Sequence, residues 1–397
     1  MLALSLSLLG CAGELAPGDW GTFRYFGELR GAAPMRLLPP MSDRDGNVYV
    51  VWGDADSPEN TIYVGQALGG WTGGCEAHRG TGGVHGFVGR TDAKAWIWSG
   101  SALVRVDGAT GACKEVLDDD PVTGTEIAFL GVVPRVDETP SHRYLPALVQ
   151  GAADRLPYFV TVDLDEDRYF DAIRFTPDAA ADVAVVGTGA DETNELGVFV
   201  VTYDLGGSLV TEAIYVKADG SSKARTVAVP EALTTGSVQG FIQFSDEGVG
   251  AGLLDDGRML LLRGQNASVQ SVQGIEAIGV QRWDGDLFLT GLQDGVPVKA
   301  EIRQSGELGS IQRWASSTNA ASKLDRGITV RDERSDPAVN TKWQTPTSAI
   351  GPAPLLSPWP IDVYTLNSTG WLVAGPGYST GIDDYTAVAF APVGVDL

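Results

Sequence analysis

Four aspartates in a nine-residue stretch have the spacing that best fits a chemical site in this sequence. In "DLDEDRYFD" they occupy positions 1, 3, 5 and 9, as Asp163, Asp165, Asp167 and Asp171. Carboxylates at alternate positions of a turning loop can surround one hard cation, whose charge offsets their mutual repulsion. Calcium prefers oxygen ligands of this kind. The spacing is therefore compatible with a calcium site. Calcium is the one cofactor that the sequence suggests.

The spacing resembles the calcium loops of integrin-type propeller repeats, which read DxDxDGxxD. The sequence departs from that pattern at Arg168, where the family has a glycine that permits the sharp turn. The cation of Arg168 can also neutralise the carboxylates without any metal. Two interpretations remain, a calcium loop and an acidic hairpin tip, and Arg168 favours the hairpin tip.

The segment "GYSTG" around Ser379 matches the G-x-S-x-G motif of serine hydrolases. In those enzymes the serine lies at a strand-to-helix turn and the histidine base follows it in the chain. Here strand-like segments flank the motif, and His78, His85 and His142 all precede it. The histidines also lack metal-ligand spacing. No catalytic residue is assigned, and Ser379 is predicted to lie in a hairpin turn.

The chain begins with an uncharged apolar run, residues 1–10, that is too short to cross a bilayer core of about 30 Å as a helix. It ends in Leu-Leu-Gly-Cys at Cys11, which resembles the lipobox of bacterial lipoproteins. The resemblance implies a signal segment over 1–10, palmitate or another acyl chain on Cys11, and a short tether over 11–21. It also implies export and a lipid anchor in the bacterial outer membrane, on its periplasmic or cell-surface face. A buried N-terminal strand with a free cysteine is the alternative, but the small and polar residues after Cys11 favour a tether.

The two other cysteines, Cys75 and Cys113, remain as a pair once Cys11 is acylated. An exported protein meets an oxidising compartment, where such a pair can form a disulfide. Sequence alone does not place the two Cα atoms within bonding range, so a Cys75–Cys113 disulfide and two buried thiols both remain open.

The charge of the chain excludes one class of partner. The formal net charge is −23 and the sequence pI is near 4.4. Binding to a phosphate backbone depends on clustered lysine and arginine side chains that release counterions. Nucleic acid is therefore excluded as a partner, and the acidity is interpreted as a source of solubility.

Short runs of β-branched and aromatic residues recur from one end of the chain to the other, and no long stretch has a helical period. Asp-Gly pairs, which tolerate the positive φ angles of tight hairpins, follow many of these runs. The chain is predicted to be all-β. Grouping the strands in fours gives seven blocks, at 35–80, 83–122, 124–178, 182–230, 238–273, 275–318 and 359–397.

One N-terminal strand, Thr22 to Leu29, is left over from this grouping. A leftover strand that pairs into the last sheet is a common way to close a propeller ring. We therefore predict one β-propeller over 22–397, with about seven four-stranded blades and with six or eight as neighbouring counts. Two β-sandwich domains are the alternative.

The segment Leu103 to Lys114, "LVRVDGATGACK", resembles the strand-turn-strand unit of PQQ-like propeller repeats, in which a strand runs into Asp-x-x-Thr-Gly. Asp107, Thr110 and Gly111 match that unit, but the usual following tryptophan is missing. "VYVVWGD" after "DRDGN" has a weaker similarity to WD40-like and other propeller repeats. The resemblance supports the propeller prediction.

Residues 315–358 depart from the pattern of paired strands because they are polar and carry mixed charges. A loop of this length in a compact domain is usually functional or mobile. We predict a long inserted loop used for binding, because Trp314, Trp343 and Trp359 lie in or beside it. Packing of these tryptophans onto the body is the alternative.

Together these features predict a non-enzymatic, lipid-anchored propeller that acts as a binding or assembly scaffold for a protein or polysaccharide. The alternative is a propeller enzyme with carboxylates in its central channel, such as a quinone-dependent dehydrogenase or a polysaccharide lyase or hydrolase. Fold does not decide between these functions, since one fold supports many sites.

Overall fold

The structure is a computed structural model of the 397-residue chain. It describes residues 24–30, 35–37, 41–42, 47–54, 61–66, 70–76, 84–90, 93–99, 102–116, 127–134, 144–151, 156–164, 168–176, 180–217, 222–235, 237–238, 240–283, 285–294, 296–313, 320–323, 328–331, 342–344, 349–352, 362–366, 370–376 and 385–391.

The described strands form eight antiparallel sheets, and the first strand of the chain is β1 (Arg24–Arg30). Sheet 1 contains β2 (Met35–Leu37), β3 (Met41–Ser42), β4 (Asn47–Asp54), β5 (Thr61–Gln66) and β6 (Gly70–Glu76). Sheet 2 contains β7 (Val84–Arg90), β8 (Lys94–Ser99), β9 (Ala102–Asp107) and β10 (Cys113–Val116). Sheet 3 contains β11 (Ile127–Val132), β12 (Tyr144–Gly151), β13 (Pro157–Asp163) and β14 (Arg168–Arg174). Sheet 4 contains β15 (Ala180–Asp191), β16 (Leu196–Leu205), β17 (Leu209–Lys217) and β18 (Lys223–Ala228).

The remaining sheets follow the same order. Sheet 5 contains β19 (Gln243–Phe244), β20 (Val249–Leu253), β21 (Arg258–Arg263) and β22 (Asn266–Ser271). Sheet 6 contains β23 (Glu276–Trp283), β24 (Asp286–Gln293), β25 (Val296–Ile302) and β26 (Gln312–Arg313). Sheet 7 contains β27 (Ala320–Lys323), β28 (Ile328–Arg331), β29 (Lys342–Gln344) and β30 (Ala349–Pro352). Sheet 8 contains β31 (Asp362–Leu366), β32 (Gly370–Pro376) and β33 (Tyr385–Ala391), and β1 joins it as the fourth strand.

This succession of four-stranded meanders is a β-propeller, in which each sheet is one blade. The N-terminal strand β1 pairs antiparallel with β33, with Arg24 opposite Phe390 and Arg30 opposite Tyr385. The predicted pairing of the leftover N-terminal strand with the last sheet is therefore confirmed. Strand β1 also contacts β6 of blade 1, so the last blade adjoins the first.

The structure differs from the sequence prediction for residues 315–358. Strands β27 to β30 form a sheet there, so this segment supplies an additional blade and the inserted-loop prediction is wrong. These strands have only three or four residues each, such as "AASK" and "KWQ", and are too short to show an alternating pattern. The apolar alternation that marks a strand in a sequence is therefore missing. The described strands give eight blades, and the seven predicted blocks match the other seven sheets, except that β15 begins two residues before its block and β1 completes the last sheet.

Both faces of the central blades are buried against neighbouring blades. Blades 3 and 4 pack through an aromatic group in which the ring centroid of Phe159 lies 5.2 Å from that of Phe199 and 5.9 Å from that of Phe175. Blades 4 and 5 pack through a second core that includes Val198 and Leu260. Because both faces are covered, strand β16 has eight consecutive buried residues.

A β-bulge that ends in glycine recurs in the first strand of four blades. The register shifts at Gly89, Gly131, Gly187 and Gly279. A Cβ on Gly131 would lie 2.9 Å from Val185 of the next blade, and a Cβ on Gly187 would lie 2.7 Å from Val238. Side chains at these two positions would therefore push the neighbouring blades apart.

Each blade is a meander, so its successive turns alternate between two ends of the ring. The turns from first to second strand and from third to fourth strand lie at one end, which we call the inner-turn end. The turns from second to third strand, together with the connections between blades, lie at the other, the crossover end. Strand β1 starts at the inner-turn end, because Arg24 pairs beside the end of β33.

None of the residues that the structure describes belongs to a helix long and apolar enough to cross a membrane.

Candidate functional site

Three turns at the inner-turn end bring polar residues of consecutive blades together. Residues 192–195 connect β15 to β16, residues 245–248 connect β19 to β20, and Gly285 lies in the turn between β23 and β24. Each turn joins the first and second strands of its blade, so all three lie near the hub of the ring. We call the resulting group the inner-turn cluster; it consists of Asp191, Glu192, Asn194, Asp246 and Arg282.

Arg282 connects three blades through its guanidinium group. Its Nη1 donates to Glu192 Oε2 of blade 4 at 2.9 Å, and its Nη2 donates to Asp246 Oδ1 of blade 5 at 2.5 Å. Burial alone would lower the pKa of Arg282, but its hydrogen bonds to Glu192 and Asp246 outweigh that effect, so that the pKa is raised. One cation therefore ties together turns that come from three separate parts of the chain.

A backbone contact reinforces the connection between blades 5 and 6. The amide of Asp246 donates to the carbonyl of Gly285 at 2.8 Å. Gly285 has a φ of 83°, in the left-handed region, and a Cβ at this position would meet the Asp246 carboxylate. The glycine of this predicted Asp-Gly turn is thus required both for the turn and for the close approach of Asp246.

Asp191 is a fully buried carboxylate at the end of β15. The side-chain amide of Asn194 donates to both of its oxygens, at 3.1 and 2.9 Å, and the backbone amide of Asn194 adds a third bond at 3.2 Å. A buried carboxylate needs such donors to offset the loss of hydration. These bonds fix the turn that presents Glu192 to Arg282.

Tyr215 and Arg225 lie beneath this turn, on the outer strands of blade 4. The guanidinium carbon of Arg225 is 3.9 Å from the ring centroid of Tyr215, a cation–π distance. Burial raises the pKa of Tyr215, and the negative charge of Asp191 acts in the same direction, although Arg225 opposes both. The polar network therefore extends from the hub of blade 4 to its outer edge.

The inner-turn cluster is chemically suited to holding blades together. Two of its carboxylates are paired with Arg282 and the third with Asn194. General acid–base catalysis near neutral pH needs a carboxyl group whose pKa is raised. The pKa values of Asp107 and Asp256 are both lowered, because Thr110 and Arg258 donate hydrogen bonds to these carboxylates. Across the described ranges, no three His, Cys, Asp or Glu residues are arranged to hold a metal ion.

The aspartates of the predicted calcium loop are distributed over a hairpin of blade 3. Asp163 is buried at the end of β13, and its register partner is Arg168 at the start of β14. Asp171 belongs to β14, beyond that pair, while Asp165 and Asp167 lie outside the described residues. The calcium prediction therefore stays a prediction.

The segment that resembles a PQQ-like repeat forms the turn between β9 and β10. Asp107 Oδ1 accepts hydrogen bonds from the amides of Ala109 and Thr110, at 3.1 and 2.9 Å, and from the Thr110 hydroxyl at 2.9 Å. The Thr110 oxygen accepts a bond from the Ala112 amide at 3.2 Å, and Gly111 has a φ of 69°. Each matching residue therefore has a role in shaping the turn.

Cys113, the first residue of β10, is disulfide-bonded. Strand β10 contacts β6, the outer strand of blade 1, which contains Cys75. Cys11 lies outside the described residues. Contact between the strands favours Cys75 as the partner, and this pairing remains a prediction.

The structure places part of the predicted binding loop, residues 315–358, in β-strands. Trp343 belongs to β29, where its register partners are Thr329 and Ile350, so it lies in a strand of blade 7 and the loop assignment is wrong for this residue. Its flanking residues are polar, which hides the strand from a pattern search. Trp314 and Trp359 lie outside the described residues, as does Ser379.

Sequence reasoning missed the inner-turn cluster, although a local signal was present. The three stretches read "DETNE", "SDEG" and "WDG", and each has an acidic residue within two positions of the end of a first strand. The pairing of Glu192 with Arg282, 90 positions later, follows only once the ring is assembled.

Neither a protein-family model nor a curated protein matches the sequence. Among solved structures, the chain is similar to the Dos1 propeller, with 10% identity over 80% of this chain and 91% of that one and a TM-score of 0.44. It is similar to the β-propeller domain of the trilobed protease from Pyrococcus furiosus, with 12% identity, coverage of 80% and 92%, and a TM-score of 0.42. It is also similar to the dihydro-heme d1 dehydrogenase NirN, with 12% identity, coverage of 92% and 80%, and a TM-score of 0.47. Similarities this distant carry no argument about function, and the propeller assignment rests on the sheet topology.

Proposed function

We propose that the protein is an exported, lipid-anchored propeller that serves as a binding scaffold at a bacterial outer membrane. An acyl chain on Cys11 holds it to the membrane, and the loops and turns of the ring bind a protein or a polysaccharide. The lipobox-like sequence before Cys11 supports the anchor. The acidic charge of the chain supports a partner other than nucleic acid.

One observation supports the scaffold role. It is the pair of ion pairs that Arg282 forms with Glu192 and Asp246, which we call the Arg282 clamp. Near the hub, where a propeller enzyme would need reactive groups, Arg282, Glu192 and Asp246 are engaged in ion pairs between blades. Such pairs hold turns in fixed positions, which a display surface requires because ordering loops on binding costs affinity. The enzyme alternative needs ionisable groups that converge with pKa values near neutrality.

The position of β1 is consistent with an anchor at the inner-turn end. Residues 12–23 separate Cys11 from the start of β1. Twelve residues extend to about 42 Å at most. An acylated Cys11 would therefore keep the inner-turn end of the ring connected to the membrane by a short segment.

Labelling with radioactive palmitate in a lipoprotein-competent host tests the anchor. We expect label on the wild type and its recovery in the membrane fraction. Cys11→Ser should lose the label and move to the soluble fraction, and Cys113→Ser, which retains Cys11, should keep the label. Equal labelling of the wild type and Cys11→Ser would overturn the proposal.

A further inference from the structure

The hairpin of β16 and β17 in blade 4 is longer than the other described hairpins outside this blade. Its strands β15, β16 and β17 contain 12, 10 and 9 residues, while the other described strands contain 8 or fewer. The turn between β16 and β17 lies at the crossover end, opposite the end where β1 starts. The sequence of the tip is "LGGSL", from Leu205 to Leu209.

Two large apolar side chains are exposed at this tip. Leu205 is 38% exposed and Leu209 is 55% exposed, and Ile311 is the one other large apolar side chain classed as exposed among the described residues. Single exposed leucines are common, but here two lie within five residues at one hairpin tip. The tip is therefore the most concentrated apolar feature on the described surface.

The backbone holds the two leucines in a fixed arrangement. Leu205 donates to the carbonyl of Ser208 at 2.8 Å, and Gly206 and Gly207 have φ angles of 64° and 89°, as in the mirror-image turns that suit tight hairpins. The Asp204 carboxylate accepts a further bond from the Gly207 amide at 2.7 Å. Leu205 lies opposite Ser208 and Leu209 opposite Asp204, so the two leucines project from opposite faces of the hairpin.

The cationic residues of blade 4 all lie away from the leucine tip, whereas acidic residues occur at both ends of the blade. Asp182 and Asp204 lie beside the leucine tip, while Lys217, Lys223 and Arg225 lie at or towards the inner-turn end. These three are all the cationic residues in the blade. The tip is thus an apolar wedge with acidic flanks, which repels both an anionic bilayer and a second copy of this acidic chain.

We propose that the tip from Leu205 to Leu209 docks into an apolar cleft of a partner protein whose rim carries lysine or arginine side chains. Side chains on both faces of the hairpin require a cleft rather than a flat surface, and the acidic flanks require a cationic rim. The proposal deepens the scaffold role and rests on it, because an anchor at the inner-turn end directs the crossover end away from the membrane.

A random peptide library displayed on phage tests the chemistry of the partner. The soluble Cys11→Ser protein serves as bait, so the experiment gives a result even if palmitate labelling fails. We expect enrichment of peptides with an apolar core flanked by lysine or arginine. Their binding should weaken by at least about tenfold in the Leu205→Ser/Leu209→Ser variant. It should also weaken as the salt concentration rises from about 50 to about 300 mM.

Ile311→Ser is the matched control, since it removes an apolar side chain of similar exposure on another blade. It should bind the selected peptides as the wild type does, and all variants should keep the wild-type melting temperature. The proposal is overturned if no peptide is enriched, or if the double variant binds the selected peptides as strongly as the wild type. It is also overturned if the wild type, but not the double variant, floats with phosphatidylethanolamine–phosphatidylglycerol vesicles, because the tip would then be a membrane contact.

Discussion

Arg282 and Glu192 lie 90 positions apart in the chain, yet their side chains meet at 2.9 Å across the blade that separates them. The guanidinium of Arg282 also reaches Asp246 in that intervening blade. A single side chain thus connects three blades at the inner-turn end. We expect this connection both to stabilise the ring and to hold its inner turns in place.

Replacing Arg282 by methionine should destabilise the protein, because Glu192 and Asp246 lose their shared cation. The side chains of Arg282 and Glu192 are 33% and 26% exposed, so we expect a loss of about 1 kcal/mol. A double-mutant cycle with Glu192→Gln, followed by urea unfolding, measures the coupling. It should shrink at high salt. Strictly additive effects of the two substitutions would contradict the clamp.

The Asp107 turn should give a pH-dependent contribution to stability. The hydrogen bond from Thr110 lowers the pKa of Asp107 below its ordinary value of 3.8. The carboxylate therefore stabilises the fold above that value, and the contribution is lost as the pH falls through the folded-state pKa. Thr110→Val should cost about 1 kcal/mol at pH 7 and less near pH 3.

Thr110→Ser keeps the hydroxyl and is the control for this turn. Unfolding by urea at a series of pH values should give the serine variant the profile of the wild type. A valine variant that is destabilised equally at pH 7 and pH 3 would show that the added methyl group or the backbone preference of valine, rather than the lost hydrogen bond, sets the effect.

The disulfide of Cys113 should link blade 2 to Cys75 of blade 1. A loop of about 40 residues closed by a disulfide contributes about 4 kcal/mol in the chain-entropy model. Cys75→Ser and Cys113→Ser should each lower the melting temperature, and the double variant should be no worse than either. Peptide mapping without reduction measures the pairing, and alkylation of Cys75 in the unreduced, unfolded protein would refute it.

The carboxylates of blade 3 should behave as an acidic hairpin tip. The register of β14 pairs Arg168 with Asp163 and carries Asp171 further along the strand, away from the turn. We expect the same melting temperature in calcium and in chelator. A calcium-dependent rise that Asp165→Asn/Asp167→Asn abolishes would establish the metal site instead, by the mass action of a ligand on the folded state.

Much of the ring could be predicted from the sequence because its signals are local. Asp-Gly turns and apolar runs gave the all-β assignment, seven blocks and the leftover first strand. Trp283 pairs with Asp286, and Gln293 pairs with Val296, on either side of two Asp-Gly pairs that predict hairpin turns. Blade 7 was missed because strands such as Lys342–Gln344 are too short and polar to alternate.

The contacts between blades could not be predicted in this way. Gly131 and Gly187 occupy equivalent bulges of adjacent blades, but they are 56 residues apart, and loops of different lengths hide the repeat. The partners of Arg282 likewise depend on which turns the ring brings together. Leu205 and Leu209 look in sequence like ordinary strand residues, and only the length of the hairpin exposes them.

The most direct test of the account is whether β1 closes the ring by pairing with β33. Glu28 lies opposite Ala387, so Glu28→Cys/Ala387→Cys in the Cys11→Ser background should form an intramolecular disulfide on mild oxidation. Joining the chain near its two ends should speed the migration of the unreduced, unfolded protein on a gel. The control Glu28→Cys/Thr386→Cys is offset by one residue, which turns the side chains to opposite faces, and it should not cross-link. Efficient closure by the matched pair alone is the predicted result; no cross-link in that pair, or equal cross-linking of both pairs, would contradict a propeller closed by its N-terminal strand.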